Sequence, residues 1–141
     1  MDKYDVLKIE NQLCFPLYVC AKEVVRKYKP YLDQIDLTYT QYITMMVLWE
    51  YGQMNVRELG DRLYLDSGTL TPLLKKLESK GLIKRERSGK DERNVIVTLT
   101  NDGVELRKKA VSIPSAIGSC INLTQDEAFT LYRLLYKILG K

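Results

Sequence analysis

A leucine stripe followed by a glycine constrains the fold of this chain more than any other feature. Leu70, Leu73, Leu74 and Leu77 recur at the spacing of one helical face, and Gly81 follows where a helix commonly ends. The opposite face carries small residues and lysines, namely Gly68, Pro72, Lys75, Lys76 and Ser79, with Thr69 and Thr71 at its flanks. The pattern predicts a helix from Ser67 to Lys80 that is buried on one side and exposed on the other.

A basic β-hairpin is predicted directly after this helix. Residues 82–87 and 94–99 have the pattern of strands, and the polar, glycine-containing segment 88–92 is typical of a turn. Between Lys75 and Arg93 eight lysines and arginines stand against four acids, so this segment holds the whole net charge of +4. Binding to a polyanion requires such a localised positive patch, although a solvated charged face has the same composition.

The rest of the chain is predicted to be mostly helical. Apolar residues from Val6 to Tyr28 share one helical face, with a kink or irregular start expected at Pro16 and a helix end at Pro30. Further helix starts are marked by capping residues at Thr38, Asn55, Thr100 and Thr124.

This order of elements predicts a mainly α fold: a winged helix-turn-helix with a two-stranded β-wing. We assign residues 35–100 to a DNA-binding region, and residues 1–34 and 101–141 to a helical dimerisation region of the same intertwined domain. The terminal helices carry more apolar residues than so small a core should cover, so we expect them to pair in a two-fold homodimer. These residues are Val6, Ile9, Leu13, Ile117, Ile121, Leu131, Leu135 and Ile138.

Double-stranded DNA with a pseudo-palindromic operator is the predicted partner. Small residues let the helix backbone approach base edges, and hydroxyls and lysines can bond to bases or phosphates. The predicted contacts from this helix are Ser67, Gly68, Thr69, Thr71, Pro72, Lys75 and Lys76. Those from the wing are Arg85, Arg87, Lys90, Asp91 and Arg93, with Arg93 in the minor groove and Asp91 holding it by an ion pair. Two alternatives remain. The helix from Ser67 to Lys80 is an ordinary amphipathic surface helix, and Asp91 and Arg93 are turn residues without a partner.

Pro72 allows two descriptions of how this helix begins. A start near Ser67 places the proline beyond the first turn and costs a backbone hydrogen bond. A cap at Thr69 places it third in the helix, where no bond is lost. We expect an irregular or tightened first turn.

Several function classes are disfavoured by what the sequence lacks. It has no histidine, no glycine-rich phosphate loop and no Gly-x-Ser-x-Gly turn, so we predict neither an enzyme nor a bound metal or cofactor. Three widely spaced cysteines fit free thiols in a reducing cytoplasm. We expect no signal peptide and no membrane span.

The sequence resembles the MarR family of bacterial transcriptional regulators. The resemblance is carried by Asp91-x-Arg93, by Leu99-Thr100-x-x-Gly103 and by the string from Leu65 to Glu78. A closer similarity to the organic-hydroperoxide-sensing, OhrR-like branch lies in the segments Asn11–Phe15, Tyr28–Pro30 and Leu37–Tyr42, and Pro16 departs from the pattern of that branch.

The resemblance implies that Cys14 is a redox sensor whose thiolate accepts hydrogen bonds from Tyr28 and Tyr39. Cys120 stands where some members carry a resolving thiol, although a buried interface thiol is equally compatible with its position. Cys20 is taken as structural. By pattern alone, Cys14 fits better as a small buried apolar residue on the first helix, and it is the resemblance that favours the sensor.

The resulting hypothesis is a cytoplasmic redox-sensing regulator, a repressor in its reduced state, that leaves its operator when an organic hydroperoxide oxidises Cys14. One alternative is a MarR-type regulator released by a small aromatic ligand, with Cys14 structural. Another is a thiol peroxidase that uses Cys14 for turnover, which leaves the basic wing without a purpose.

Overall fold

A computed structural model describes residues 2–88 and 91–141, with the side chains of residues 91–93 excepted. The chain divides into one compact unit that ends at Val111 and a second from Ser112 to Lys141. The first unit contains α1 (Cys14–Asp33), α2 (Tyr39–Tyr51), β1 (Gln53–Asn55), α3 (Val56–Leu63), α4 (Ser67–Ser79), β2 (Ile83–Ser88), β3 (Asp91–Leu99) and α5 (Asn101–Ala110). The second contains α6 (Ile113–Gly118) and α7 (Gln125–Ile138). The functional division into residues 35–100 and the two termini stays a prediction.

The first helix is shifted relative to its predicted position. Two short 3₁₀ turns, Asp5–Leu7 and Ile9–Asn11, precede α1, which begins only at Cys14. Pro16 is therefore the third residue of α1, where its missing N–H removes no helical hydrogen bond. This position accounts for the irregular start expected at Pro16.

The predicted helix end at Pro30 is wrong, because α1 continues through this proline to Asp33. The constraint that proline places on the preceding residue is a preference, and the proline sits close to the end of the helix. Leu32 lies two residues further on and is only 2% exposed. Burying this side chain favours the extra turn and offsets the lost hydrogen bond.

The core of the first unit forms around α2. Its start is fixed by the predicted capping box, in which Gln41 N donates to Thr38 Oγ1 and Thr38 N to Gln41 Oε1. Gly52 closes the helix with a φ of 82°, as expected. The leucine stripe of α4 is buried as predicted, and it joins Met45, Leu48, Leu59, Ile83 and Val97 in the core.

The wing belongs to a three-stranded antiparallel sheet with the order β1-β3-β2, whereas the sequence predicted two strands. Strand β1 pairs with β3 so that Met54 faces Val97, and both side chains are buried. Only three residues form β1, too few to show an alternating pattern in sequence. Its place in the sheet therefore depends on β3, which is more than thirty residues away.

Apolar side chains remain exposed near both ends of the chain. Within the first unit they lie in the segment before α1 and in its first turn, at Val6, Leu7, Ile9, Leu13 and Phe15. Within the second unit they lie on and before α7, at Ile121, Leu123, Phe129, Leu131, Leu134, Ile138 and Leu139. The sequence predicted eight terminal apolar residues that the core of one chain would not cover. Of these, Ile117 is buried, Leu135 is half-buried, and the others are exposed.

Candidate nucleic-acid interface and thiol site

The start of α4 is set by Asp66. Its side chain accepts a hydrogen bond from Thr69 N at 2.8 Å, so Asp66 is the N-cap and Thr69 is not. Its carbonyl accepts from Leu70 N at 2.9 Å and also from Thr69 N at 3.2 Å, the second bond being of the 3₁₀ type. This is the tightened first turn that we expected, and it leaves Pro72 as the sixth residue of the helix.

The face of α4 opposite the leucines is open. Ser67, Gly68, Thr69, Pro72, Lys75 and Lys76 are exposed and Thr71 is half-buried. The exposed face thus has small side chains at its N-terminal end, and the two lysines follow about two turns later. Such a surface can approach base edges closely and bond to phosphates.

Arg85 is bound to α4 through Glu78. The Glu78 carboxylate accepts from Arg85 N at 2.9 Å, from Nη2 at 3.0 Å and from Nε at 3.3 Å. These hydrogen bonds hold the pKa of Glu78 below its ordinary value. Arg85 was predicted as a DNA contact, and the structure gives its guanidinium a protein partner instead of an open position. Sequence reasoning missed Glu78, whose only signal was an acid on the flank of a basic surface.

The rest of the wing is only partly described. Arg87 is exposed on β2, on the strand that enters the turn. Lys90 lies outside the described residues, and so do the side chains of Asp91 and Arg93. The ion pair between Asp91 and Arg93 and their contacts to DNA therefore stay predictions.

Cys14 is the first residue of α1 and is exposed. The predicted hydrogen-bond partner Tyr28 lies on the same helix, fourteen residues later. At a rise of 1.5 Å per residue, the two positions are about 21 Å apart along the helix axis. The structure therefore does not bring Cys14 and Tyr28 together within one chain.

Tyr28 and Tyr39 do meet each other. Their ring centroids are 4.9 Å apart, and Tyr42 joins them at 5.8 and 6.3 Å. Burial raises the pKa of all three hydroxyls, and the neighbouring rings add to this for Tyr28 and Tyr42. The cluster therefore offers neutral hydroxyl donors around neutral pH. Sequence reasoning missed Tyr42, although its spacing of three from Tyr39 places both on one face of α2.

The three thiols are all exposed, and no disulfide joins them within the described part of the chain. Cys20 lies on α1, and Cys120 follows α6 in the second unit. Across residues 2–88 and 91–141, no group of acidic or cysteine side chains is arranged to hold a metal ion. Over the same residues, no helix combines the length and the apolar character needed to cross a membrane.

Comparison with known proteins decides the family. Residues 26–110 match the family model described as "Transcriptional regulator SarA/Rot". The organic hydroperoxide resistance transcriptional regulator of Bacillus subtilis is 46% identical over 98% of this chain and 94% of its own length. The chain belongs to the MarR family, in its OhrR-like branch.

Two solved structures of AbfR, a protein of Staphylococcus epidermidis, extend the likeness to DNA complexes. Reduced AbfR bound to DNA matches with a TM-score of 0.79 and 36% identity, covering 99% of this chain and 97% of AbfR. Overoxidised AbfR bound to DNA matches with a TM-score of 0.79 and 35% identity, covering 99% and 98%. This MarR-family chain is therefore a DNA-binding transcriptional regulator and not an enzyme, and its winged helix-turn-helix fold agrees with the prediction.

Proposed function

We propose that this MarR-family chain is a cytoplasmic, homodimeric repressor that leaves a pseudo-palindromic operator when an organic hydroperoxide oxidises Cys14. The observation that carries the proposal is the separation of Cys14 from Tyr28 and Tyr39. The exposed thiol stands at one end of α1 and the tyrosine cluster near the other end. A second copy of the chain can supply the hydroxyls that one chain cannot bring to its own thiol.

The exposed apolar surfaces support the dimer. Leu13, next to the thiol, is 82% exposed, and Ile9 before it is 61% exposed. Contiguous apolar surface of this kind marks a protein interface. A second copy that covers the segment before α1 would also bury the surroundings of Cys14. We expect Leu13→Glu to give monomers in sedimentation, while Arg57→Glu, an exposed change on α3 outside the predicted dimerisation region, leaves the dimer intact.

The chemistry assigned to Cys14 is a two-electron oxidation. Its thiolate attacks one peroxide oxygen, so that an S–O bond forms, the O–O bond breaks and the alkoxide leaves as an alcohol after taking up a proton. Tyr28 and Tyr39 of the second copy donate hydrogen bonds to the thiolate and orient it. The resulting sulfenic acid then reacts with a second thiol, for which we propose Cys120, forming an S–S bond and releasing water.

Binding to DNA is assigned to α4 and the wing of each chain. A dimer presents two copies of α4 to successive major grooves, which implies a two-fold related operator. We keep Ser67, Gly68, Thr69, Thr71, Pro72, Lys75 and Lys76 as contacts from α4, and Arg87, Lys90, Asp91 and Arg93 as contacts from the wing. Arg85 keeps the wing strand against Glu78, so we propose an indirect role for it.

The test measures operator affinity by fluorescence anisotropy before and after one equivalent of cumene hydroperoxide. Wild type should lose affinity and recover it with dithiothreitol, Cys14→Ser should not respond, and Cys20→Ser should respond as wild type. A Cys14→Ser protein that still loses affinity to the oxidant would exclude the sensor role.

The dose of oxidant matters because AbfR was solved bound to DNA in an overoxidised state. We therefore assign release in this chain to the disulfide and not to the sulfinic or sulfonic acid. Non-reducing mass spectrometry should find a dimer cross-linked between Cys14 and Cys120 after one equivalent of oxidant. Release without that cross-link would exclude Cys120 as the resolving thiol.

A groove between α1 and α2 supports the second candidate function, release by a small aromatic ligand. Its volume is about 310 Å³, and its apolar lining comes from Val25, Leu32, Leu37 and Tyr39. Sodium salicylate should then release the operator from the Cys14→Ser protein as readily as from wild type. An absence of any effect on both proteins would exclude this candidate.

A further inference from the structure

Lys80, the residue that ends α4, reaches the loop between α1 and α2. Its Nζ donates hydrogen bonds to the backbone carbonyl of Asp36 and, at 3.3 Å, to Gln41 Oε1. The Asp36 carboxylate lies 3.5 Å from the same nitrogen. The Lys80 side chain is 29% exposed. Its three ammonium donors thus face three acceptors, two on Asp36 in the loop and one on Gln41 in the first turn of α2.

The loop that receives Lys80 is firmly built. Leu37 N donates to Leu32 O at 3.1 Å, and Ile35 and Leu37 are both buried. Asp36 between them takes a left-handed conformation with a φ of 54°. We therefore expect a backbone displacement at either end of the loop to move the Asp36 carbonyl, because the loop is too well packed to adjust locally.

The same loop leads straight into the tyrosine cluster. The Gln41 side chain that meets Lys80 also accepts from Thr38 N and so fixes the start of α2. Tyr39 follows Thr38 directly and packs on Tyr28. The cluster is thus connected to the DNA-binding helix within the first unit by one hydrogen bond, from Lys80 to Gln41 of the capping box. Lys80 follows α4 directly along the chain, as Tyr39 follows Thr38.

We propose that Lys80 is a positioning residue that couples the tyrosine cluster around Tyr28 and Tyr39 to the orientation of α4. The proposal rests on the proposed function, since it names the route by which oxidation of Cys14 reaches the DNA-binding surface. When the oxidised thiol displaces the tyrosines, the start of α2 moves and Lys80 carries that movement to the C-terminal end of α4. The leucine contacts of α4 are non-directional and permit this rotation, whereas the hydrogen bonds of Lys80 have a fixed direction.

The carbonyl of Asp36 is the principal acceptor in this contact. The Asp36 carboxylate is 92% exposed, so its ion pair with Lys80 is weakened by water. Substituting the lysine is therefore the informative change, because no side-chain change at Asp36 removes the carbonyl. Lys80→Met keeps the length and the apolar stem of the side chain and removes all of its donors.

The experiment compares wild type, Lys80→Met and Lys108→Met. Lys108 pairs with Glu105 at 2.7 Å on α5 and is exposed; it is neither a proposed DNA contact nor part of the connection from the tyrosine cluster to α4. Operator affinity is measured for each protein before and after one equivalent of cumene hydroperoxide. A single coupling contact of this kind should carry about fivefold or more of the response. The ratio of the two affinities should thus fall at least about fivefold in Lys80→Met and stay within about twofold of wild type in Lys108→Met.

A second measurement covers the case in which Lys80→Met binds DNA too weakly to compare. Amide exchange of residues 67–80 in free protein should rise on oxidation in wild type and should not rise in Lys80→Met. A purely structural role predicts faster exchange and a lower melting temperature in both redox states, with an unchanged response to oxidant. That result, or an unchanged affinity ratio, overturns the proposal. Wild type that does not respond to peroxide overturns the proposed function and this coupling with it.

Discussion

Glu78 on α4 accepts three hydrogen bonds from Arg85 on β2, one from the backbone and two from the guanidinium. The pair spans the connection between the DNA-binding helix and the wing strand, and it uses both oxygens of one carboxylate. The guanidinium donates to Oε1 and the backbone N–H to Oε2, so the pair fixes orientation as well as distance. Helix and wing are therefore expected to meet DNA as one rigid surface.

Glu78→Gln tests this relationship. The amide keeps one acceptor oxygen and loses the charge, so we expect stability at pH 7 to fall by about 0.5–1.5 kcal/mol in urea denaturation. The folded-state pKa of Glu78 is lowered. Its contribution is therefore fully present above the ordinary pKa of the carboxyl and is lost as pH falls through the lowered value. The difference from wild type should shrink in acid. Glu105→Gln, which removes an exposed pair on α5, should change little at either pH.

Gly103 is predicted to tolerate no side chain. A β-carbon there would overlap the carbonyl oxygen of Leu82, which already accepts from Thr100 N at 3.1 Å. The Gly103 carbonyl in turn accepts from Trp49 Nε1 at 2.8 Å, so α5 cannot shift without breaking this bond. Gly103→Ala should destabilise the protein by about 2 kcal/mol or more in thermal unfolding. Gly118→Ala, where no atom lies within 4 Å of an added β-carbon, should be close to neutral, and equal effects at the two positions would contradict the packing argument.

The tyrosine cluster predicts a loss of stability at high pH. The pKa of Tyr28, Tyr39 and Tyr42 is raised, chiefly by burial. Their contribution to stability is therefore complete below the ordinary tyrosine pKa of about 10 and declines as pH rises through the raised values. Absorbance at 295 nm should show late titration. Tyr39→Phe should make the titration of its two neighbours earlier without making it normal, because burial, the larger cause, remains. Tyr18→Phe, which removes the hydroxyl of an exposed ring on α1, should leave the late phase unchanged.

Lys75 is expected to contact phosphate, because it is exposed on α4 away from the buried leucines. Lys75→Ala removes one phosphate contact per chain and two per dimer. The slope of log affinity against log salt should therefore become shallower by about 1.8. Lys108→Ala should leave that slope unchanged. If Lys75→Ala lowers affinity for the operator but not for unrelated DNA, and the slope stays constant, then Lys75 contacts a base.

The amino-acid sequence by itself determined the features that depend only on residues close together along the chain. The capping boxes at Thr38 and Thr124 and the leucine stripe of α4 lie where the sequence placed them, because each depends on residues three or four apart. The family followed from the same local strings. Pro30 shows the limit of such rules: the local preference against helix lost to the burial of Leu32, which depends on the rest of the unit.

Only the tertiary structure decided the contacts between elements. Strand β1 was too short to be predicted, and it exists because β3 supplies its hydrogen-bond partners. Arg85 bonds to Glu78, a contact that the sequence did not predict, and Lys80 meets Asp36 from forty-four residues away. A side chain forms hydrogen bonds with groups that folding brings within about 3 Å of it. The separation of two residues along the chain does not reveal that distance. The leucine stripe therefore fixed where α4 would be, and hydrogen bonds to other elements decided what holds its C-terminal end.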